Sequence, residues 1–215
     1  MKKLLLCLLL MYPTLVIKTN SAILPEQKVE VRLSNFDIYF PLYLQLEGGY
    51  SEDKNDNASK ACRYGVHTNK GLTFGTYLGI CKDVYNRRPS YKHFLSLDDT
   101  MVKKAIYDKF YCYQGLDEVK DLEKMVSILD YHVNAGNNGI YGTIAVLNSM
   151  YEVHMPFTSR LTDDLIYLIN ACDKDLFLRR MSKQRKNFYF RTGQTYYYRG
   201  WMNRMALTDE YLNRF

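Results

Sequence analysis

Glu47 is the side chain in this sequence best placed for acid chemistry. It ends a run with Phe36, Phe40, Tyr43 and Leu44 at helical spacing, and Gly48, Gly49 and Tyr50 follow at once. A carboxylate at a helix C-terminus faces the negative end of the macrodipole, which disfavours its charge. Leu44 and Leu46 beside it would push the same way by desolvation. Both effects favour the protonated acid, the state that general-acid cleavage of a glycosidic bond requires. The competing reading is a solvated glutamate ending an ordinary helix.

The elements that must position Glu47 follow from hydrophobic spacing. Ser34 or Asn35 can cap the first helix, Pro41 predicts a kink or a late start, and Gly48-Gly49 supply freedom for a sharp exit. Residues 50–75 are rich in Asn, Asp, Ser, Lys and Gly and read as a loop or small hairpin. A helix is expected from Thr76 to just before Pro89. Another starts at Asp98-Asp99-Thr100 and carries aromatic residues to Tyr113. The clearest helix runs from about Asp117 to Ala135. Val119, Leu122, Val126, Leu129 and Val133 mark one buried stripe, and Gly136 is its left-handed cap. Ile140 to Tyr151, Leu161 to Cys172 and Asp173 to Arg191 are further helices. The fold class expected is mainly α (α+β), one domain with a small β-hairpin or loop region after the first helix.

Residues 1–22 have the layout of a secretory signal peptide: Lys2 and Lys3, an apolar run from Leu4, then the small residues Ser21 and Ala22. Residues 23–215 are then the domain, exported to an oxidising compartment with no stable membrane association after cleavage. Lys2, Lys3 and Lys18 leave with the leader, so half of the formal net charge of +6 belongs to it. Cys7 leaves too. Cys62, Cys81, Cys112 and Cys172 remain as disulfide candidates, and four cysteines allow three connectivities. Four buried thiols are the alternative. Neither C-x-x-C nor Cys/His zinc spacing occurs, so no metal and no cofactor is expected. His67, His93, His132 and His154 form no usable pattern. The run Lys183-Gln184-Arg185-Lys186, with Arg179, Arg180 and Arg191, reads as a solvated helix face. Nucleic acid is not an expected partner at so modest a charge without a reader motif.

The order of short motifs resembles a known family. Glu47-Gly48-Gly49-Tyr50, then Asp53 and Asp56, then Thr68-Asn69-Lys70-Gly71-Leu72-Thr73, resembles the N-acetylmuramidases of glycoside hydrolase family 108. Ala105-Ile106-Tyr107 with Phe110-Tyr111, Asp130 to Gly136, and Gly200-Trp201-Met202-Asn203-Arg204 keep the family order, so the resemblance spans about residues 36–206. It implies a lysozyme-like fold, with the helical part from about residue 137 similar to the family's peptidoglycan-binding region. It also implies cleavage of the β-1,4 bond after N-acetylmuramic acid, with Glu47 as proton donor. Asp56 would orient water or stabilise the oxocarbenium-like transition state, and Asp53 reads as a turn residue. Thr68 or Thr73 would position a water, or else pin the hairpin by side-chain hydrogen bonds. Tyr50 would stack on a sugar or fill the core. With Gly48, Gly49 and Asn134 it makes up the candidate substrate-binding set, although Asn134 and Asp130 read more simply as packing at a helix end. Trp201 and Arg204 read as anchors of the last helix. The segment from Asn57 to His67 is longer than the family pattern and carries Cys62. One pairing, Cys62 with Cys81 and Cys112 with Cys172, would brace that loop and join two helices.

The expected protein is therefore an exported, monomeric muramidase whose partner is the peptidoglycan glycan strand. A lytic transglycosylase using the same glutamate, or a non-catalytic wall-binding or secretion-assisting protein, are the rivals. The export reading predicts that N-terminal sequencing of the secreted chain starts near Ile23; an intact Met1 would exclude cleavage.

Overall fold

The computed structural model describes residues 33–215, so the leader and residues 23–32 lie outside the described residues. Helix α1 (Asn35–Leu46) starts where a serine can cap it. Ser34 accepts from the Asp37 amide while the Asp37 carboxylate accepts from the Ser34 amide, a reciprocal box. Phe36, Tyr39, Phe40, Leu42 and Tyr43 are buried. Pro41 lies inside the helix and does not delay its start; its residue is exposed, on the solvent side of the helix.

The chain leaves α1 into a three-stranded antiparallel sheet of short strands, β1 (Tyr50–Ser51), β2 (Thr68–Asn69) and β3 (Leu72–Thr73), in the order β1-β2-β3. Tyr50 pairs with Asn69 and Thr68 with Thr73. Lys70 and Gly71 join β2 to β3 with φ of 48° and 78°. Two successive left-handed residues are the mark of the hairpin turn that matches strand twist. Gly48 and Gly49 are outside the left-handed range, and a side chain at either would meet open space. The sharp exit from α1 therefore does not depend on glycine conformation.

Helices α2 (Phe74–Tyr85), α3 (Tyr91–Leu95) and α4 (Asp99–Ile106) follow, capped by Thr73, Ser90 and Asp98. The aromatic helix expected to continue to Tyr113 instead widens into a π turn at Tyr107–Tyr111 and tightens into a 3₁₀ turn at Cys112–Gln114. Helix α5 (Leu122–Ala135) begins later than its apolar spacing suggests, because Asp121 caps it and Val119 is extended. It is followed by α6 (Asn137–Tyr151), α7 (Asp163–Ala171), α8 (Lys174–Arg191) and α9 (Thr195–Leu212).

Helix α5 packs against α1, α6 and α8. It is consequently buried all round rather than along one stripe: Lys124, Met125, Val126, Ile128, Leu129, Asp130, Tyr131 and His132 are all buried. The buried lysine is satisfied by the end of α7, donating to the Ile169 and Cys172 carbonyls at 2.8 and 2.7 Å. Gly136 (φ 59°, ψ −144°) has the positive φ but not the helical ψ expected of a left-handed cap, and it turns the chain from α5 directly into α6. The two helices then approach closely at Gly139, where an added Cβ would lie 2.5 Å from the His132 Cα and amide nitrogen.

Backbone cannot yield there as a flexible side chain would. Gly139→Ala is expected to lower stability by about 1–3 kcal/mol, the usual range for overpacking, seen as a lower urea midpoint. An unchanged midpoint would contradict the close α5–α6 contact.

Candidate active site

Glu47 sits at the C-cap of α1 in extended backbone, its amide still bonded to the Tyr43 carbonyl. The setting differs from the apolar one expected from Leu44 and Leu46. Arg204 of α9 donates from Nη1 to Glu47 Oε1 at 2.7 Å, with side-chain exposures of only 9% and 18%. The hairpin turn closes the other side. A Cβ at Gly71 would lie 2.6 Å from Glu47 Cγ, Cδ and Oε2, so only glycine fits beside this carboxyl. The turn is held in place from beneath and beside: Tyr43 donates to the Lys70 carbonyl at 2.7 Å and the Lys70 amide donates to the Gly49 carbonyl at 3.0 Å. Asn69 adds a bond to the Phe94 carbonyl at 2.8 Å.

Behind Glu47 lies a buried ionic chain. Asp130 is fully buried. It accepts from Arg204 Nη2 at 2.7 Å and Nε at 3.1 Å, from Arg185 Nη2 at 2.8 Å, and from the Tyr39 hydroxyl at 3.3 Å. Arg185 Nε donates to the Tyr189 hydroxyl at 2.7 Å, and that hydroxyl donates to Asn134 Oδ1 at 2.5 Å. The chain sets two carboxyl groups, Glu47 and Asp130, against two guanidinium groups, Arg204 and Arg185. Burial by itself pushes the Asp130 carboxyl up, but the two guanidinium groups outweigh it and hold the carboxyl far below the usual range. Arg204 is likewise disfavoured by burial, yet is held charged by Asp130 and Glu47.

The remaining candidates fall into separate positions. Asp56 Oδ1 accepts from the Ala58 amide at 2.9 Å and so caps the short 3₁₀ turn at Asn57–Ala61. Asp53 is reached by the Tyr197 hydroxyl of α9 at 2.9 Å; the Asn55 amide first, then Tyr197, hold its carboxyl below the ordinary value. Thr73 caps α2, accepting from the Thr76 amide at 3.1 Å. Thr68 Oγ1 lies 3.0 Å from His67 Nδ1. Tyr50 is 60% exposed, with its hydroxyl donating to the Leu95 carbonyl at 2.6 Å. Asn134 connects to Glu47 through Tyr189, Arg185, Asp130 and Arg204 rather than directly. Cys62, Cys81, Cys112 and Cys172 are unpaired in this structure, the arrangement of the four-thiol alternative. Cys62 and Cys172 instead donate to the local carbonyls of Val66 and Ile169 at 3.2 Å. Arg185 corrects the reading of its run as a solvated face: Lys183 and Lys186 are exposed, but Arg185 turns inward to Asp130. Arg204, read from the sequence as an anchor, is the residue that joins Asp130 to Glu47. Its place one turn after Trp201 gave no direct signal of that role.

A capped first helix ending in a carboxylate, a small antiparallel sheet beside it and a helical body around α5 make this a mainly α, lysozyme-like fold. Among solved structures the chain is similar to one described as the structure of Brucella abortus SagA, with a TM-score of 0.62 and 15% sequence identity, covering 83% of this chain and 94% of that one. No family model matches the chain, and no curated protein matches it.

Because the folded value of Asp130 lies below the unfolded one, its ionised form stabilises fully above the unfolded carboxyl value of about 3.9. That stabilisation is lost as pH falls toward the folded value. Asp130→Asn leaves two buried guanidinium groups short of a counter-charge and is expected to cost about 3–5 kcal/mol at neutral pH. It should also flatten the acid limb of stability below about pH 4. Chemical denaturation of both proteins across pH checks this; an acid limb unchanged by the substitution would argue against Asp130 as the buried anion.

Proposed function

We propose that this protein is an exported peptidoglycan hydrolase, an N-acetylmuramidase of the glycoside hydrolase family 108 type. It cleaves the β-1,4 bond between N-acetylmuramic acid and N-acetylglucosamine, with Glu47 as general acid. The motif order from Glu47 to Arg204 supports the family, and the lysozyme-like fold is compatible with it. The observation that carries the reading is the division of labour on the Glu47 carboxyl. Oε1 is held by Arg204, while Oε2 has no protein partner among the described residues and is not among their enclosed unpaired atoms. The backbone at Gly48 and Gly49 beside it is uncovered. A carboxyl fixed through one oxygen presents the other in a defined direction, which is what proton donation to a glycosidic oxygen needs.

The second half of the reaction falls to a water or to the substrate's own acetamido group. Asp53 is engaged through both oxygens, with Asn55 and Tyr197, whereas Asp56 is engaged through Oδ1 alone, so Asp56 is the carboxylate that would orient the water or stabilise the transition state. The substrate is the glycan strand outside the cell, and the working unit is a monomer.

Purified protein is expected to release muropeptides from peptidoglycan, and Glu47→Gln to reduce the rate by at least about 100-fold, the lower end for losing a general acid. Mass spectrometry of the products should show hydrated reducing ends. Anhydro ends would replace hydrolysis by transglycosylation. Equal release by both proteins would remove Glu47 from the donor role, and no release from several wall types would leave a wall-binding protein.

A further inference from the structure

Helix α9 presents one face to both Asp53 and Glu47. Tyr197, Trp201 and Arg204 recur four and three residues apart, the spacing of one helical stripe. The first reaches Asp53 at 2.9 Å and the last reaches Glu47 at 2.7 Å. Trp201 therefore lies on the stripe between the residue that holds Asp53 and the residue that holds the proposed acid.

Two tyrosine rings flank the indole. Its ring stacks on Tyr189, with centroids 4.6 Å apart and planes at 18°, and Tyr197 lies at 6.0 Å, tilted by 36°. Tyr189 is itself fixed by Arg185 and Asn134, so the backing ring is rigid. Trp201 is only half-buried. Its N–H has no protein acceptor among the described residues. The enclosed unpaired side-chain atoms among those residues are Gln114 Oε1 and Tyr131 OH, so the Trp201 N–H opens to solvent. Buried indoles usually find an acceptor for this donor, and an indole with an apolar face and a wet N–H is suited to an amphipathic ligand.

We propose that Trp201 is a substrate-positioning residue of the Glu47 site. Its indole packs on one N-acetylated pyranose of the glycan, and its N–H, lying in the ring plane, donates to an oxygen of the neighbouring sugar. Tyr197, held by Asp53, completes the aromatic wall. A glycan strand offers an apolar C–H face on one sugar and hydroxyl and acetamido oxygens on the next, the combination this indole can meet at once. The assignment rests on the glycan-cleaving reading for its choice of ligand, and not on Glu47 chemistry for its test.

The chain holds a single tryptophan beside 20 tyrosines, so emission excited at the red edge, beyond tyrosine absorption, reports on residue 201 alone. Glu47→Gln, which binds without turnover, is titrated with a soluble tetrasaccharide of alternating N-acetylglucosamine and N-acetylmuramic acid, and with a glucose oligomer of equal length as control. A saturable shift in emission with the first and none with the second is the expected result. A silent indole overturns the assignment, whether the glycan binds elsewhere or not at all. In the active protein, Trp201→Ala is expected to raise KM about tenfold with a smaller change in kcat, and Trp201→Phe to fall between. An unchanged KM would also overturn it. If either variant misfolds, the titration of Glu47→Gln still decides. Failure of muropeptide release by the unaltered protein would defeat the muramidase reading and leave the fluorescence result standing on its own.

Discussion

Asp130 is the charge that the helical body is built around. Leaving a carboxylate fully enclosed is costly unless it is paired and hydrogen-bonded, and here two arginines and a tyrosine meet it. Each partner comes from a different helix: Tyr39 from α1, Arg185 from α8 and Arg204 from α9. One buried anion on α5 therefore sets the mutual placement of the helices that surround it. Arg204 is long enough to satisfy this anion with Nε and Nη2 and still offer Nη1 outward. The position of Glu47 is thus referred to the core through a planar, rigid fork, not through a flexible surface contact.

The opposite wall is set by backbone rather than by charge. The Lys70-Gly71 turn lies against the Glu47 carboxyl because Tyr43, on the same helix as Glu47, bonds to the turn's carbonyl. Tyr43 and Glu47 are one helical turn apart, so the helix that carries the acid also carries the post that positions its cover. The surface ion pair of Lys70 with Asp99 at 2.6 Å adds little, being largely solvated. The site is accordingly rigid on the side of the core and the hairpin, and open along Gly48 and Gly49.

Much of the architecture was legible because it rests on local signals. Ser34 and Asp98 announce helix starts by the same side-chain oxygen chemistry that the structure uses, whereas the caps Thr73 and Asp121 are not among the expected starts. The Asn/Asp/Gly-rich stretch after Glu47 announced the small sheet. What remained hidden was long-range. Nothing near Arg185 in sequence distinguishes it from Lys183 or Lys186; it is buried because Asp130, on another helix, demands a partner. The same holds for Arg204 and Glu47, and for Tyr197 and Asp53, which meet across most of the chain. Cysteine parity suggested cross-links, but a thiol also satisfies itself as a small core residue with a nearby carbonyl, and parity does not separate the two.

Gly71 is determined twice over, and this bears on how the site can drift by mutation. Its φ of 78° excludes most side chains regardless of neighbours, and the Glu47 carboxyl excludes them again by contact. Replacing Glu47 by a smaller residue would lift the second restriction and leave the first. A descendant that abandoned the acid would thus be free to change Arg204's outer contact but would still inherit the glycine. Persistence of the glycine traces ancestry of the turn, whereas joint persistence of Glu47 and Arg204 traces retention of their ion pair.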